Sequence, residues 1–371
     1  MTGLGEILRT CAGLTEPAAL ATLVRVRGSS YRQPGARMLF RPSGAQTGLI
    51  SAGCLETDVK ARVETVLASR SAQLACFDAG SELDLIWGTG MGCAGRVEVL
   101  LEPLTGPFPP WMEQCARLLR ERRAGALATV FATRGSTPFQ TGDRFLRSPG
   151  EPGLLPAPGP AREALLAAMD RIGEQPGNET WTDPEGSMDL LFEPIRAPLA
   201  LWLFGAGEHA MPLARLAKGM DWWLGLVDHR PALATAERFP EADRIVIGHP
   251  PEVFQGLPLD RRSAALVISH VYDQDRSALA ALLDRPLGYL GLQGNRARSA
   301  RILRELEAKG LVLDPDQRER LHWPAGLDLG GESPEAIALA MIAEIQAVLT
   351  GHSGGSLRER PGSIHPRPPA P

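Results

Sequence analysis

Two cysteines stand in glycine-rich surroundings that suit chemistry. Cys54 lies in Ser51-Ala52-Gly53-Cys54-Leu55-Glu56, and Cys93 in Gly88-Thr89-Gly90-Met91-Gly92-Cys93-Ala94-Gly95. Glycine lets backbone N–H groups close on an anion, and a thiolate is a natural partner for a soft metal–sulfur centre. Glu56 offers a carboxylate two residues past Cys54, able to hydrogen-bond a ligand, to orient Arg37, or to open a helix over 55–66. A second chemistry-bearing segment, Gly205-Ala206-Gly207-Glu208-His209-Ala210, follows the apolar run 199–204. It is a GxGxxA pattern: two glycines for a tight turn and close backbone approach, and a small residue for helix packing. The helix N-terminus behind it presents free N–H groups to a phosphate. Asp228, 23 residues after Gly205, stands where dinucleotide-binding folds place the acid that holds a ribose 2′-OH. In an open α/β sheet the ligand lies beyond the C-terminal strand ends, so Asp228, His229, Arg230, His270, Gly294, Arg296 and Arg298 belong to the same edge.

The elements that position these residues fall into two regions. Residues 20–42 and 127–149 match at a constant offset of 107, with 11 of 23 positions identical. Each copy reads as a strand, a Gly-Ser turn and a second strand, preceded by an amphipathic helix over 6–14 or 111–123. The copies converge again at 97–103 and 188–194, at an offset of 91, so copy two is 16 residues shorter between the matching ends. The shortened interval lacks both Cys-Gly segments, which suggests a duplicated scaffold in which one half kept its chemistry. Copy one spans 1–104 and the degenerate copy two 111–195, together forming an N-terminal α/β domain over 1–195. Proline-rich punctuation at 193–198 separates it from alternating strands and helices over 199–350. Strands are expected at 199–204, 222–227, 244–247, 264–269 and 289–292, with helices over 275–283 and 297–309 and a last helix capped by Ser333 with Pro334 at its first position. Parallel strands need such crossovers, so the second region is a Rossmann-like doubly wound parallel sheet. Trp222-Trp223 is read as flanking or filling a sheet edge. Residues 351–371 form a Pro- and Arg-rich tail without a core of its own.

Composition narrows the function classes. At 371 residues, 44% hydrophobic and 22% charged, this is an ordinary globular composition with room for two or three domains. A net charge of −4 argues against a nucleic-acid partner. There is no apolar run of about 18 residues and no signal-peptide pattern, so no membrane span and a cytoplasmic location are expected. Five cysteines, all in the first 115 residues and without a CxxC pair, argue against a disulfide framework or a zinc knuckle. Cys11, Cys76 and Cys115 are expected to be buried and inert.

The combined motifs resemble the XdhC/CoxI (CoxF) family of accessory proteins for xanthine dehydrogenase and related molybdenum hydroxylases. The resemblance rests on Gly28-Ser29-Ser30, Pro34-Gly35-Ala36-Arg37-Met38 and the two Cys-Gly segments. It continues through Gly205-Ala206-Gly207, Val227-Asp228-His229-Arg230, Ser269-His270, Tyr289-Leu290-Gly291-Leu292 and the stretch 321–330, and so covers nearly the whole chain. The family commonly has glycine where Ala52 and Ala94 stand, and many members carry histidine where Glu208 stands, one place before His209.

The resemblance implies an accessory protein that binds molybdenum cofactor, as molybdopterin or its dinucleotide form, and assists its sulfuration and insertion into an apo-hydroxylase. The client hydroxylase and a cysteine desulfurase are then the partners, a homodimer is compatible with the role, and no turnover is implied. The candidate cofactor-binding residues are Arg37, Cys54, Glu56, Cys93, Gly205, Gly207, Asp228, His270, Gly294 and Arg296. Cys54 and Cys93 are further expected to lie close together, facing the second domain and contacting the molybdenum centre. The competing class is an NAD-dependent oxidoreductase built on GxGxxA and Asp228. It lacks a Tyr-x-x-x-Lys pair, and the chain has only three lysines.

Overall fold

The computed structural model describes residues 3–28, 30–51, 53, 55–78, 95–106, 108–171, 176–182, 184–250 and 252–361. The chain divides into two units, Met1–Ala197 and Pro198–Pro371.

The first unit holds two antiparallel sheets. One has the order β3-β2-β1-β5-β4, from β1 (Ala18–Gly28), β2 (Arg37–Phe40), β3 (Gln46–Gly48), β4 (Gln73–Asp78) and β5 (Gly95–Leu104). The other has the order β7-β6-β9-β8, from β6 (Gly125–Gly135), β7 (Arg144–Arg147), β8 (Gly177–Thr182) and β9 (Gly186–Ile195). The internal duplication is visible in their registers. β1 pairs with β5 from Ala18↔Leu104 to Gly28↔Gly95, and β6 pairs with β9 from Gly125↔Ile195 to Gly135↔Gly186. Both ladders shift at the same place, between Leu23 and Arg25 and between Val130 and Ala132. In each copy a glycine with positive φ donates back to the bulged strand: Gly35 to the Leu23 carbonyl and Gly142 to that of Val130.

The two copies pack through helices and through charge. α1 (Leu4–Ala12) and α3 (Pro110–Arg120) share one core cluster, in which Ile7, Leu8 and Cys11 meet Met112, Cys115 and Leu118. α2 (Glu56–Ser69) covers the first sheet through Val59, Val63 and Val66, and α4 (Pro160–Arg171) covers the second through Leu165 and Met169. Arg37 of copy one forks onto Glu193 of copy two at 2.9 and 2.6 Å. The equivalent residues form the reciprocal pair, Arg144 onto Glu102 at 2.5 Å through both nitrogens. Burial alone would favour losing the proton from Arg37, but the facing Glu193 carboxylate overrides it and holds the guanidinium charged.

The second unit is a parallel six-stranded sheet of order β12-β11-β10-β13-β14-β15. Its strands are β10 (Ala200–Phe204), β11 (Trp223–Asp228), β12 (Arg244–Ile247), β13 (Ser263–Val267), β14 (Tyr289–Leu292) and β15 (Leu321–His322). The chain starts at β10, winds outward to β12, and then returns to add β13, β14 and β15 on the other side. Both faces are covered, which is why β10 is buried at every position. α5 (Ala210–Gly219) and α9 (Pro334–Leu349) pack on the face carrying Leu201 and Leu203. α6 (Tyr272–Leu283) and α7 (Arg296–Ala308) pack on the face carrying Trp202 and Phe204. A short α8 (Pro315–Arg320) opens with a capping box between Asp314 and Gln317 and leads into β15. Ser333 caps α9 by accepting from the Ala336 N–H at 3.1 Å, with Pro334 next.

Trp222-Trp223 does not mark a sheet edge. β11 lies between β12 and β10, and Trp223 packs against Trp202 with ring centroids 5.0 Å apart. Gly225 makes this possible, because a Cβ there would stand 2.3 Å from the Trp202 ring. No helix among the described residues is long and apolar enough to cross a membrane. Residues 362–371 of the tail lie outside the described residues.

Candidate functional site

The C-terminal ends of β10 to β13 form a crest whose centre is the gap between β10 and β13. These two strands run side by side with Phe204 opposite Val267, yet their following helices, α5 and α6, leave to opposite faces. This is the switch point where open α/β sheets bind ligands. Gly205 has φ 129, and a Cβ on it would stand 2.6 Å from the Cα and N of Ser269. Its glycine is therefore required by the neighbouring turn. Gly207 is different, since a Cβ there would meet nothing within 4 Å. Gly207 is thus the glycine of the pattern with open space beside it.

Asp228 is buried at the end of β11. Its oxygens accept from the Ala206 N–H at 2.6 Å, the Arg230 N–H at 2.9 Å, and the Arg230 side chain at 2.9 and 2.8 Å. Burial by itself would raise this carboxyl; the Arg230 side chain and the two amides outweigh it and hold Asp228 below the usual carboxylate range. The carboxylate that a ribose would need is already engaged within the chain.

Four histidines ride on the turns after these four strands. His209 stands at the N-cap position of α5 without a side-chain capping bond, and its ring lies 5.1 Å from that of His270, across the switch point. His229 and His249 form a second pair 4.8 Å apart. Gln274 of α6 reaches the His249 Nδ1 at 3.2 Å, beside a shallow cleft that is open to solvent and lined by Gly205, Asp228, His229 and Gln274. His270 has φ 61, a left-handed conformation that costs a non-glycine residue roughly 1–2 kcal/mol. β13 accordingly ends at Val267, two residues before the strand end expected from the sequence.

A lock of buried charge supports the second turn. Asp275 is fully buried; it accepts from the Ser269 N–H at 3.1 Å and hydroxyl at 2.5 Å, and its other oxygen takes Arg298 Nη2 at 2.6 Å. Arg298 thus reaches back from α7 to the switch point, while Nη1 of Arg298 and Nδ1 of His209 are enclosed without a hydrogen-bond partner. Further along the sheet, Tyr289 donates to Glu344 at 2.6 Å and stacks on His322 at 4.4 Å, with His322 Nδ1 3.5 Å from the same carboxylate.

The structure brings Gly205, Gly207, Asp228 and His270 together on this crest. Gly294 and Arg296 lie two strands along the same edge, after β14. Arg296 is exposed, and it is Arg298 that turns inward. Arg37 is 1% exposed and committed to Glu193, so Glu56 does not orient it. Glu56 instead folds back over its own loop, accepting from the Ser51 N–H at 2.9 Å, the Leu55 N–H at 3.1 Å and the Ser51 hydroxyl. Cys54 and Cys93 lie outside the described residues. Cys11 and Cys115 are buried, and burial raises their thiols to about 11 and about 12. Cys76 is exposed, contrary to expectation, because it points outward from β4, where it accepts from Arg96 Nε at 2.9 Å. No group of three or more metal-ligating side chains forms among the described residues. Sequence reasoning missed His249, Gln274 and Asp275. His249 was within reach of the strand-end rule, since it follows β12 just as His229 follows β11.

Sheet order, glycine turn and crest define a Rossmann fold joined to a duplicated antiparallel unit. Comparison with known proteins places this class more narrowly. A model of the XdhC Rossmann domain matches residues 201–345, and one of the XdhC and CoxI family matches residues 12–78. A Bacillus subtilis (strain 168) protein, named as a probable xanthine dehydrogenase subunit, is 32% identical over 332 residues, 89% of this chain and 92% of that one. The Escherichia coli (strain K12) protein named "Molybdenum cofactor insertion chaperone PaoD" is 21% identical over 331 residues, 89% of this chain and 83% of that one. A crystal structure from Bacillus halodurans, described as a xanthine dehydrogenase, superposes with a TM-score of 0.73 at 26% identity, covering 97% of this chain and 98% of the other. The chain belongs to the XdhC and CoxI family.

Proposed function

We propose that this protein is a maturation factor that binds molybdenum cofactor and assists its sulfuration and insertion into a molybdenum hydroxylase of the xanthine dehydrogenase type. The observation that carries the reading is the open face of Gly207 at the start of α5, in a chain that resembles a cofactor insertion chaperone over most of its length. The support for a phosphate end at this turn is the positive end of the α5 dipole and the open space beside Gly207, since the Ala210 and Met211 N–H groups are spent on the Gly207 and Glu208 carbonyls and Pro212 has none. When bound, the cofactor supplies the molybdenum–dithiolene centre. The residues of this chain hold its phosphate end at Gly207, His209 and His270, while Asp275 fixes the turn that carries His270. Contact of Cys54 and Cys93 with the metal–sulfur end belongs to the same proposal, as do a cysteine desulfurase as sulfur source and a homodimeric assembly.

The nicotinamide alternative gains nothing from Asp228, whose carboxylate is spent on Arg230 and Ala206; a ribose diol would have to displace the Arg230 side chain. The test is cofactor retention. Full-length protein purified from cells making the cofactor is assayed for molybdenum and pterin, and Gly207→Ala should lose most of both while unfolding at the same temperature. Full retention by Gly207→Ala, or no pterin in the unaltered protein, would overturn the reading.

A further inference from the structure

We infer that His209 and His270 form a proton-dependent seat for a tetrahedral oxyanion at the switch point, so that an anionic ligand binds there together with protons. The inference rests on the reading of the Gly207 turn as a phosphate seat and adds how that seat is charged.

Two arginines converge on the gap. Arg230 faces it from the β11 turn and Arg298 from α7. Both are already matched, Arg230 by Asp228 at 2.8 Å and Arg298 by Asp275 at 2.6 Å, and both carboxylates are buried. Glu208, beside His209, is turned outward onto Arg238 at 2.6 Å. The donors left for an anion at this pair are therefore the imidazoles and the one unpartnered guanidinium nitrogen, Nη1 of Arg298, and of these only the imidazoles change charge near neutral pH. The two rings lie 5.1 Å apart, one at the head of α5 and the other just before α6, where two helix dipoles disfavour a cation. Burial lowers the His270 proton affinity first, His209 lowers it further, Arg298 and Arg230 add to the effect, and Asp275 alone opposes it. A dianion at the open face of Gly207 reverses the sign of the field at both rings and favours their protonated forms.

Linkage fixes the direction. Imidazoles whose proton affinity rises on binding make affinity increase as pH falls toward their free-state titration, and leave it flat above the bound-state titration. The ligand class is a phosphate-like group, the end of a nucleotide-type cofactor or a free oxyanion. Phosphate titrates in the same range, so sulfate, a dianion throughout, is the direct probe.

The full chain is titrated with sulfate at pH 6 and pH 8 at constant ionic strength, and the histidine ring C–H signals are followed by NMR. Affinity should be about tenfold greater at pH 6, the size of one linked proton over roughly a pH unit of its titration. The His270 midpoint should move upward with sulfate. His270→Asn, which keeps a residue tolerant of positive φ, should cut the pH effect to under about twofold, and His209→Asn should weaken it. Equal affinity at both pH values, an unmoved His270 midpoint, or no sulfate binding would overturn the inference. The two readings separate through Gly207→Ala. Binding lost in that variant, with a flat pH profile in the unaltered protein, leaves the phosphate seat standing and removes the histidines. Undiminished pH-dependent binding in Gly207→Ala leaves the histidine pair standing and removes the seat.

Discussion

Gly205 and Ser269 touch backbone to backbone: the site a Cβ would take on Gly205 is 2.6 Å from both the Cα and the N of Ser269. The turns after β10 and β13 are thereby fastened to each other, and the two glycines of the GxG pattern have separate duties. Gly205→Ala, with a clash against backbone and φ 129, should destabilise the second unit by about 3 kcal/mol or prevent its folding. Gly207→Ala should change stability by less than about 0.5 kcal/mol. Thermal unfolding of the two variants side by side checks this. Equal effects would show that the turns are not in contact as described.

The crossed pairs in the first unit give a second expectation. Breaking Arg37–Glu193 from one side, as in Glu193→Gln, leaves a buried guanidinium without its counter-charge and should cost about 3–5 kcal/mol. Replacing both partners with apolar residues should recover much of that loss. A urea double-mutant cycle measures the difference, and additive single effects would mean that the pair does not act as a unit.

Asp189, Asp228 and Glu344 each have a carboxyl held below its ordinary range: burial acts against this, but Arg25 with Thr180, Arg230 with Ala206, and His322 with Tyr289 outweigh it. A lowered folded-state value stabilises above the unfolded value of about 4, and the contribution is lost as pH falls through the folded value. The unfolding temperature should therefore hold from pH 7 to about 5 and drop steeply below about 4. Asp228→Asn should start lower at pH 7 and fall less on acidification. An unchanged slope in that variant would remove Asp228 from the acid transition.

Thiol accessibility separates the three described cysteines. Cys76 is exposed, whereas Cys11 and Cys115 are enclosed and raised to about 11 and about 12. Only the thiolate attacks an alkylating reagent. Iodoacetamide at pH 8 on the native protein should modify Cys76 and spare Cys11 and Cys115, as read by peptide mass mapping. Comparable labelling of Cys115 would mean that the shared helix core opens.

Much of the second unit could be read directly. β12 and β14 fall where the apolar runs placed them, and Ser333-Pro334 marked the start of α9, because these signals are local. The duplication was legible for the same reason: identical residues at one offset must repeat one backbone. What escaped depends on partners remote in sequence. Arg37 looked like a ligand residue because its counter-charge is 156 residues away. Trp222-Trp223 looked like an edge because strand order is not written in either strand. The His209–His270 contact needs two turns to be neighbours, which follows only once β13 is known to lie beside β10.

The reciprocal pairing of Arg37 with Glu193 and Arg144 with Glu102 has the form of an isologous dimer contact, in which residue i meets j and j meets i. The first unit is thus a two-fold assembly fused into one polypeptide. Its second half serves as a permanent internal protomer: losing it would strand the buried charges of Arg37 and Glu102 and strip α1 of the helix it packs against.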